Sequence, residues 1–203
     1  MRTPANLPSA PIVCAVLLLA LACGGGGVTL SGGEALAQPG FVAEICQRCH
    51  FLGIRTTLET SLHATPEALE LVLPHLDLLY ADIKHMDRDR HQALTGLDNV
   101  LILANLRAVS ARRHPPALII RMPVIPSIND EAENLRALAE FCTGLAPVQK
   151  IELLPYHRLS VSMYRELGQE YALHGIKTPS REYMVEKAML VRSFAPNLEV
   201  ITR

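Results

Sequence analysis

The chain has 203 residues, 49% of them hydrophobic and 4% aromatic with no tryptophan, and its 19 basic and 20 acidic side chains leave a formal net charge of -1. That length suits one domain, or a large part of one, with a real core, and the near-neutral charge gives no reason to expect a nucleic-acid or anionic-membrane partner. Five cysteines, an odd number at irregular spacings, speak against a disulfide framework and for a reducing, cytoplasmic setting.

In chain order, residues 12–22 form an unbroken apolar run of 11 residues, too short to span a membrane but of signal-core length. The run ends in Leu-Ala-Leu-Ala-Cys at 19–23, which resembles a lipoprotein processing site with Cys23 as the lipidated residue. Against that, Arg2 is the only basic residue ahead of it, and a core-like strand begins within a few residues of Cys23. Residues 1–24 are therefore set apart as an atypical apolar leader, either an export signal of a lipoprotein or a mis-assigned or rearranged start. Residues 25–203 form the body.

After the glycine run at 24–27, residues 28–30 read as a strand and 39–50 as a helix with Pro39 in its first turn. Residues 55–60, 77–84, 117–125 and 150–157 read as further strands, rich in Val, Ile and Leu. Residues 66–73, 99–111 and 130–144 read as helices between them. In the last, Leu135, Leu138, Cys142 and Leu145 line one face, and Asp130 with Glu133 has capping-box spacing. Such alternation predicts an α/β fold of parallel strands joined by right-handed crossovers. Of the two forms available, a doubly wound sheet and a full or partial β/α barrel, the expectation is an incomplete barrel: a curved, mostly parallel sheet of about five strands.

Both forms place ligand chemistry at the carboxyl ends of the strands. The first strand runs into Ser31-Gly32-Gly33-Glu34, where two glycines let backbone pass close to a ligand and Glu34 offers a carboxylate to a cationic group. A plain tight turn is the other reading. Leu78, Tyr80, Asp82 and Lys84 share one face by the period of two. A carboxylate and an ammonium there are paired with each other at a solvated rim or engaged with ligand. His157 leaves the last strand on the side of Ile151 and Leu153; alone it reads equally as a core or rim histidine. The strands ending near Glu34, Glu59, Asp82, Arg121 and His157 are expected to converge on one mouth suited to a zwitterionic amino-acid ligand carrying polar sugar groups.

Residues 25–36 (GGGVTLSGGEAL), 82–86 (DIKHM), Leu94-Thr95-Gly96, 121–130 (RMPVIPSIND) and 152–159 (ELLPYHRL) resemble, in order and spacing, the activating enzymes of pyruvate formate-lyase and related glycyl-radical enzymes. In that family a [4Fe-4S] cluster cleaves S-adenosylmethionine reductively, and the resulting radical abstracts hydrogen from a glycine of the partner, with electrons from a flavodoxin or ferredoxin. The resemblance implies that Gly32, Gly33 and Glu34 bind the methionine amino group, that Asp82, Ile83 and Lys84 lie near its carboxylate, and that His157 faces the nucleoside. It also implies a monovalent-cation site at Glu59, Thr60 and Asp82. Four departures stand out: Glu59 for a shorter Asp, Ala35 for a proline, and Leu62 and Ser127 where glycines are common.

A larger departure concerns the cluster. The family's Cys-x3-Cys-x2-Cys loop has no counterpart in this sequence, whose cysteines are Cys14, Cys23, Cys46, Cys49 and Cys142. A chain that binds S-adenosylmethionine but does not initiate radical chemistry is the expectation, with a non-catalytic binding remnant close to it. From another class comes Cys46-Gln47-Arg48-Cys49-His50, the attachment spacing of c-type haem, which with the leader reads as an exported cytochrome. Val42, Ile45, Cys46 and Cys49 share one apolar helix face, which instead predicts buried thiols packed on the sheet.

Overall fold

The computed structural model describes residues 17–20, 26–158, 173 and 175–202. One seven-stranded sheet runs through it, its strands in sequential order: β1 (Leu17–Ala20), β2 (Gly27–Ser31), β3 (Arg55–Thr60), β4 (Leu78–Asp82), β5 (Ala117–Val124), β6 (Val148–Pro155) and β7 (Glu199–Thr202). β2 to β7 pair in parallel, and β1 pairs antiparallel with β2. Because the order never reverses, successive right-handed crossovers put the described helices that connect parallel strands on the same side of the sheet. The result is an open, singly wound barrel-like sheet and not a doubly wound one. It carries two more strands than the five expected. Part of the segment set apart as a leader, Leu17–Ala20, is the antiparallel edge strand.

The helices are α1 (Pro39–Phe51), α2 (Pro66–Val72), α3 (Arg88–Thr95), α4 (Val100–Ser110), α5 (Ala132–Thr143) and α6 (Arg181–Phe194). α1 begins with Pro39 in its first turn and ends in a left-handed Gly53 (φ 69°), where Gly53 N–H donates to His50 O and Ile54 N–H to Cys49 O. That pair of bonds satisfies two carbonyls the helix would otherwise leave bare. Val42, Cys46 and Cys49 face the core. Thr65, Asp87 and Ser180 cap α2, α3 and α6 through their side-chain oxygens.

The expected capping box of α5 is not formed. Glu131 occupies the cap position without a side-chain bond to the helix's own amides, and Asp130 is turned into the protein. There it accepts from Ser127 N–H (2.8 Å) and from the Tyr183 hydroxyl, and pairs with Lys187 (3.2 Å), so it clips the start of α5 to α6. A buried carboxylate with three donors is better satisfied there than by one amide at a helix end.

The two faces of the sheet differ, and that difference places the site. Leu30, Leu58, Leu79, Leu118, Ile120, Met122, Ile151 and Leu153 point outward under the helices and are fully or almost fully buried. Alternate residues, Ser31, Glu59, Tyr80, Asp82 and Arg121, point inward and are half-buried, while Ile119 and Glu152 on the same face are buried. At the lower end Gly27 pairs with Arg55; a Cβ on it would lie 2.5 Å from the Arg55 carbonyl oxygen, so only glycine permits this approach.

Candidate functional site at the strand ends

The carboxyl ends of β2 to β5 bring together most of the residues singled out by sequence. Gly32 adopts φ 150°, a region essentially closed to residues with a Cβ, and the exposed Gly32-Gly33 turn leaves its backbone open to solvent. The Glu34 carboxylate does not project with it. Its Oε1 accepts from Thr60 Oγ1 (2.6 Å) and Leu36 N–H (3.0 Å), and its Oε2 from Ser61 Oγ (2.6 Å) and Ser61 N–H (3.0 Å). Glu34 thus ties the end of β2 to the end of β3. What the glycine turn offers a ligand is backbone.

Beside it a row of charges crosses four strands. Ser31 Oγ donates to Glu59 Oε2 (2.9 Å); Arg121 donates through Nη1 to Glu59 Oε1 (3.0 Å) and through Nε to Asp82 Oδ1 (3.0 Å); Lys84 Nζ donates to Asp82 Oδ2 (2.8 Å). The register makes this possible, since Glu59 is paired with Tyr80 and Asp82 with Arg121. The Arg121 guanidinium also lies over the Tyr80 ring, 4.8 Å from its centroid. Burial pulls the arginine's pKa down, but the Asp82 and Glu59 carboxylates more than offset it and leave the pKa above its ordinary value. Lys84 keeps 36% of its side chain exposed.

The other singled-out residues are placed less closely. Ile83 is fully buried, so only its backbone belongs to the strand end; its N–H donates to Arg121 O (2.9 Å). Thr60 is buried, on the opposite side of β3 from Glu59. His157 lies exposed just past β6. Sequence reasoning placed Arg121 at the mouth but missed that it bridges the two carboxylates. The signal was register: once β4 and β5 pair, Asp82 and Arg121 are opposite each other.

A cleft of about 750 Å³ opens between α3 and α5 and is lined by His85, Asp87, Arg90, Asp130, Glu131 and Asn134, among others. His85 is almost fully buried; its Nδ1 accepts from Asp87 N–H (2.9 Å), which leaves Nε2 to donate to Glu131 (3.3 Å). Burial, then Arg90, lowers its pKa. These groups satisfy one another and hold the loop after β4. None of the strand-end charges lines this cleft.

An amino-acid ligand fits the mouth, which offers exposed glycine backbone beside the Lys84 ammonium, itself held by Asp82. An iron–sulfur cluster does not fit the described residues. Cys46 and Cys49 are buried in α1 and Cys142 in α5, and burial pushes the Cys46 and Cys142 thiols up to about 12, whereas cluster ligands are thiolates. No group of three or more His, Cys, Asp or Glu that could hold a metal occurs among the described residues. Cys14 and Cys23 lie outside them. In the Cys-x-x-Cys-His segment both thiols face the core while His50 faces solvent, so haem attachment would require lifting α1 off the sheet.

Comparison with known proteins supplies a context for this geometry. A family model described as the radical SAM superfamily matches residues 15–139. The chain is similar to the (2S)-3-sulfopropanediol dehydratase activating enzyme of Klebsiella oxytoca, 38% identical over 84% of this chain and 54% of that protein. It is also similar to the pyruvate formate-lyase-activating enzyme of Staphylococcus epidermidis, 38% identical over 80% of this chain and 66% of that protein. The chain thus spans about half to two thirds of the length of these curated relatives. Among solved structures, a domain of pyruvate-formate lyase-activating enzyme from Bacteroides vulgatus superposes with a TM-score of 0.71 and 32% identity, covering 88% of this chain and 99% of that one.

Proposed function

The chain belongs to the radical S-adenosylmethionine superfamily, among the glycyl-radical enzyme activating enzymes, and on that premise we propose that its strand-end mouth binds S-adenosylmethionine. The observation that carries this reading is the juxtaposition of an exposed Gly32-Gly33 turn with the half-exposed Lys84 ammonium. Backbone carbonyls of the turn accept from the methionine amino group, and Lys84 donates to its carboxylate. Asp82 holds Lys84 by one oxygen, and Glu34 fixes the turn by tying it to Thr60 and Ser61. His157, exposed beyond β6, stands at the nucleoside side.

In this reading the protein serves a glycyl-radical enzyme, in a reducing cytoplasmic setting consistent with the free thiols of Cys46, Cys49 and Cys142, with a flavodoxin or ferredoxin as electron source. We further propose that this chain binds the cofactor without initiating radical chemistry. The support for this is that the three described cysteines are buried on two different helices. No step through a cluster follows from these residues.

Calorimetric titration with S-adenosylmethionine tests the site. A hydrogen bond to a charged group contributes about 1.5–3 kcal/mol, so Lys84→Ala is expected to weaken binding by about ten- to a hundredfold. Glu34→Ala weakens it as well, by releasing the glycine turn. Equal affinities for wild type and Lys84→Ala would remove the assignment.

A further inference from the structure

Glu59 and Asp82 project from adjacent parallel strands onto the same inward face. Two carboxylates held there repel each other unless a cation lies between them. Solvent supplies alkali ions for such places, and the resemblance drawn from sequence implies one, held by Glu59, Thr60 and Asp82. The Thr60 hydroxyl is turned away from such an ion, and both carboxylates are already engaged. Thr60 is on the other side of β3, where its hydroxyl donates to Glu34 and accepts from Leu62 N–H (2.9 Å). Glu59 and Asp82 each give one oxygen to Arg121, and their remaining oxygens go to Ser31 and Lys84.

We propose that the Arg121 guanidinium is the resident cation of this mouth, taking the place of an alkali-metal ion between Glu59 and Asp82. A planar guanidinium has donors spaced to reach two carboxylates at once, which a spherical ion matches only with further oxygens around it. The Arg121 side chain is 14% exposed, so it is substantially shielded from competing solvent ions. The glutamate at position 59, one methylene longer than aspartate, spans from β3 to the guanidinium while its second oxygen holds Ser31. The consequence for cofactor binding, a Lys84 steadied from behind by Asp82, rests on the S-adenosylmethionine reading; the charge replacement itself does not, and its test contains no ligand.

Thermal unfolding is compared in potassium, sodium and tetramethylammonium chloride at equal ionic strength, with ²³Na line broadening as a direct probe of ion capture. Wild type is expected to unfold at one temperature in all three salts and to leave the sodium line unbroadened. Arg121→Gln removes the cation and is expected to acquire a preference for potassium or sodium over tetramethylammonium of about 2–4 °C per kcal/mol of ion binding. Glu59→Asp keeps both acidic charges but shortens the reach to Arg121, and carries the same expectation should Arg121→Gln fail to fold; Arg121→Lys keeps the charge and stays insensitive. A wild-type protein that is itself stabilised by potassium or sodium, or variants as insensitive as wild type, would overturn the proposal.

Discussion

Leu62 (φ 59°) and Ser127 (φ 62°) are the non-glycine residues with left-handed backbone among the described residues, and both follow strands whose ends form the mouth. Both are also positions where the resembling family commonly has glycine, so the backbone shape is kept although the residue that makes it easy is not. A left-handed residue with a Cβ costs about 1–2 kcal/mol, while glycine costs about 0.4–1 kcal/mol through the unfolded chain. Ser127 is exposed, so Ser127→Gly is expected to stabilise by about 0.5–1 kcal/mol. Leu62 is fully buried, and Asn105 holds the loop by donating to Leu62 O and Ala64 O (both 2.8 Å). There the lost core contact, about 2–5 kcal/mol, outweighs the relief, and Leu62→Gly destabilises. Urea unfolding of the two variants checks the opposite signs; a destabilised Ser127→Gly would mean the turn is not strained. At this scale the sequence made Gly32 legible, because a paired glycine after a strand signals special backbone. It did not show the direction of the Glu34 carboxylate, which depends on Thr60 and Ser61 from a strand more than twenty residues away.

Among the elements, the strands were the more legible because their inward and outward residues alternate: the parity placing Tyr80, Asp82 and Lys84 together survives in the fold, as does the apolar face of α1 carrying Cys46 and Cys49. α3 was missed for a physical reason, since Arg88–Thr95 buries only His91 and shows no apolar stripe; Asp87 and the left-handed Gly96 define its ends. The start of α5 was misread because Asp130 has capping spacing in sequence, yet its partners Tyr183 and Lys187 come from α6. Burial alone would raise the Asp130 pKa, but bonds from Tyr183, Lys187 and Ser127 prevail and lower it. A carboxylate depressed on folding stabilises above its unfolded pKa of about 3.9 and loses that contribution as pH falls through the folded value. Asp130→Asn is therefore expected to cost about 1.5–3 kcal/mol at neutral pH, with the gap to wild type closing as the solution is acidified below about pH 4. Chemical denaturation across pH measures it; a gap that is constant or widens toward acid would contradict the assigned role of Asp130.

Across the whole molecule, sequential strand order explains why the chemistry collects where it does. With the described connecting helices on one side, that face takes Leu30, Leu58, Leu79, Ile120 and Ile151, and the other takes Ser31, Glu59, Tyr80, Asp82 and Arg121. The alternation of strands and helices made an open β/α barrel legible; the edge strand Leu17–Ala20 was not, because an apolar run carries the same composition whether it leads the chain or pairs with β2. The separation between the mouth and the described cysteines is equally a property of the whole fold, since Cys46, Cys49 and Cys142 lie on helices that pack against the opposite face. Anaerobic reconstitution with iron and sulfide, followed by dithionite reduction in the presence of S-adenosylmethionine, measures both halves of the account in one sample. Retention of S-adenosylmethionine at one equivalent, with no stoichiometric [4Fe-4S] resonance in the electron paramagnetic spectrum and no 5′-deoxyadenosine, is the result predicted. A stoichiometric cluster signal with 5′-deoxyadenosine production, or a chain that retains no S-adenosylmethionine at all, would contradict it.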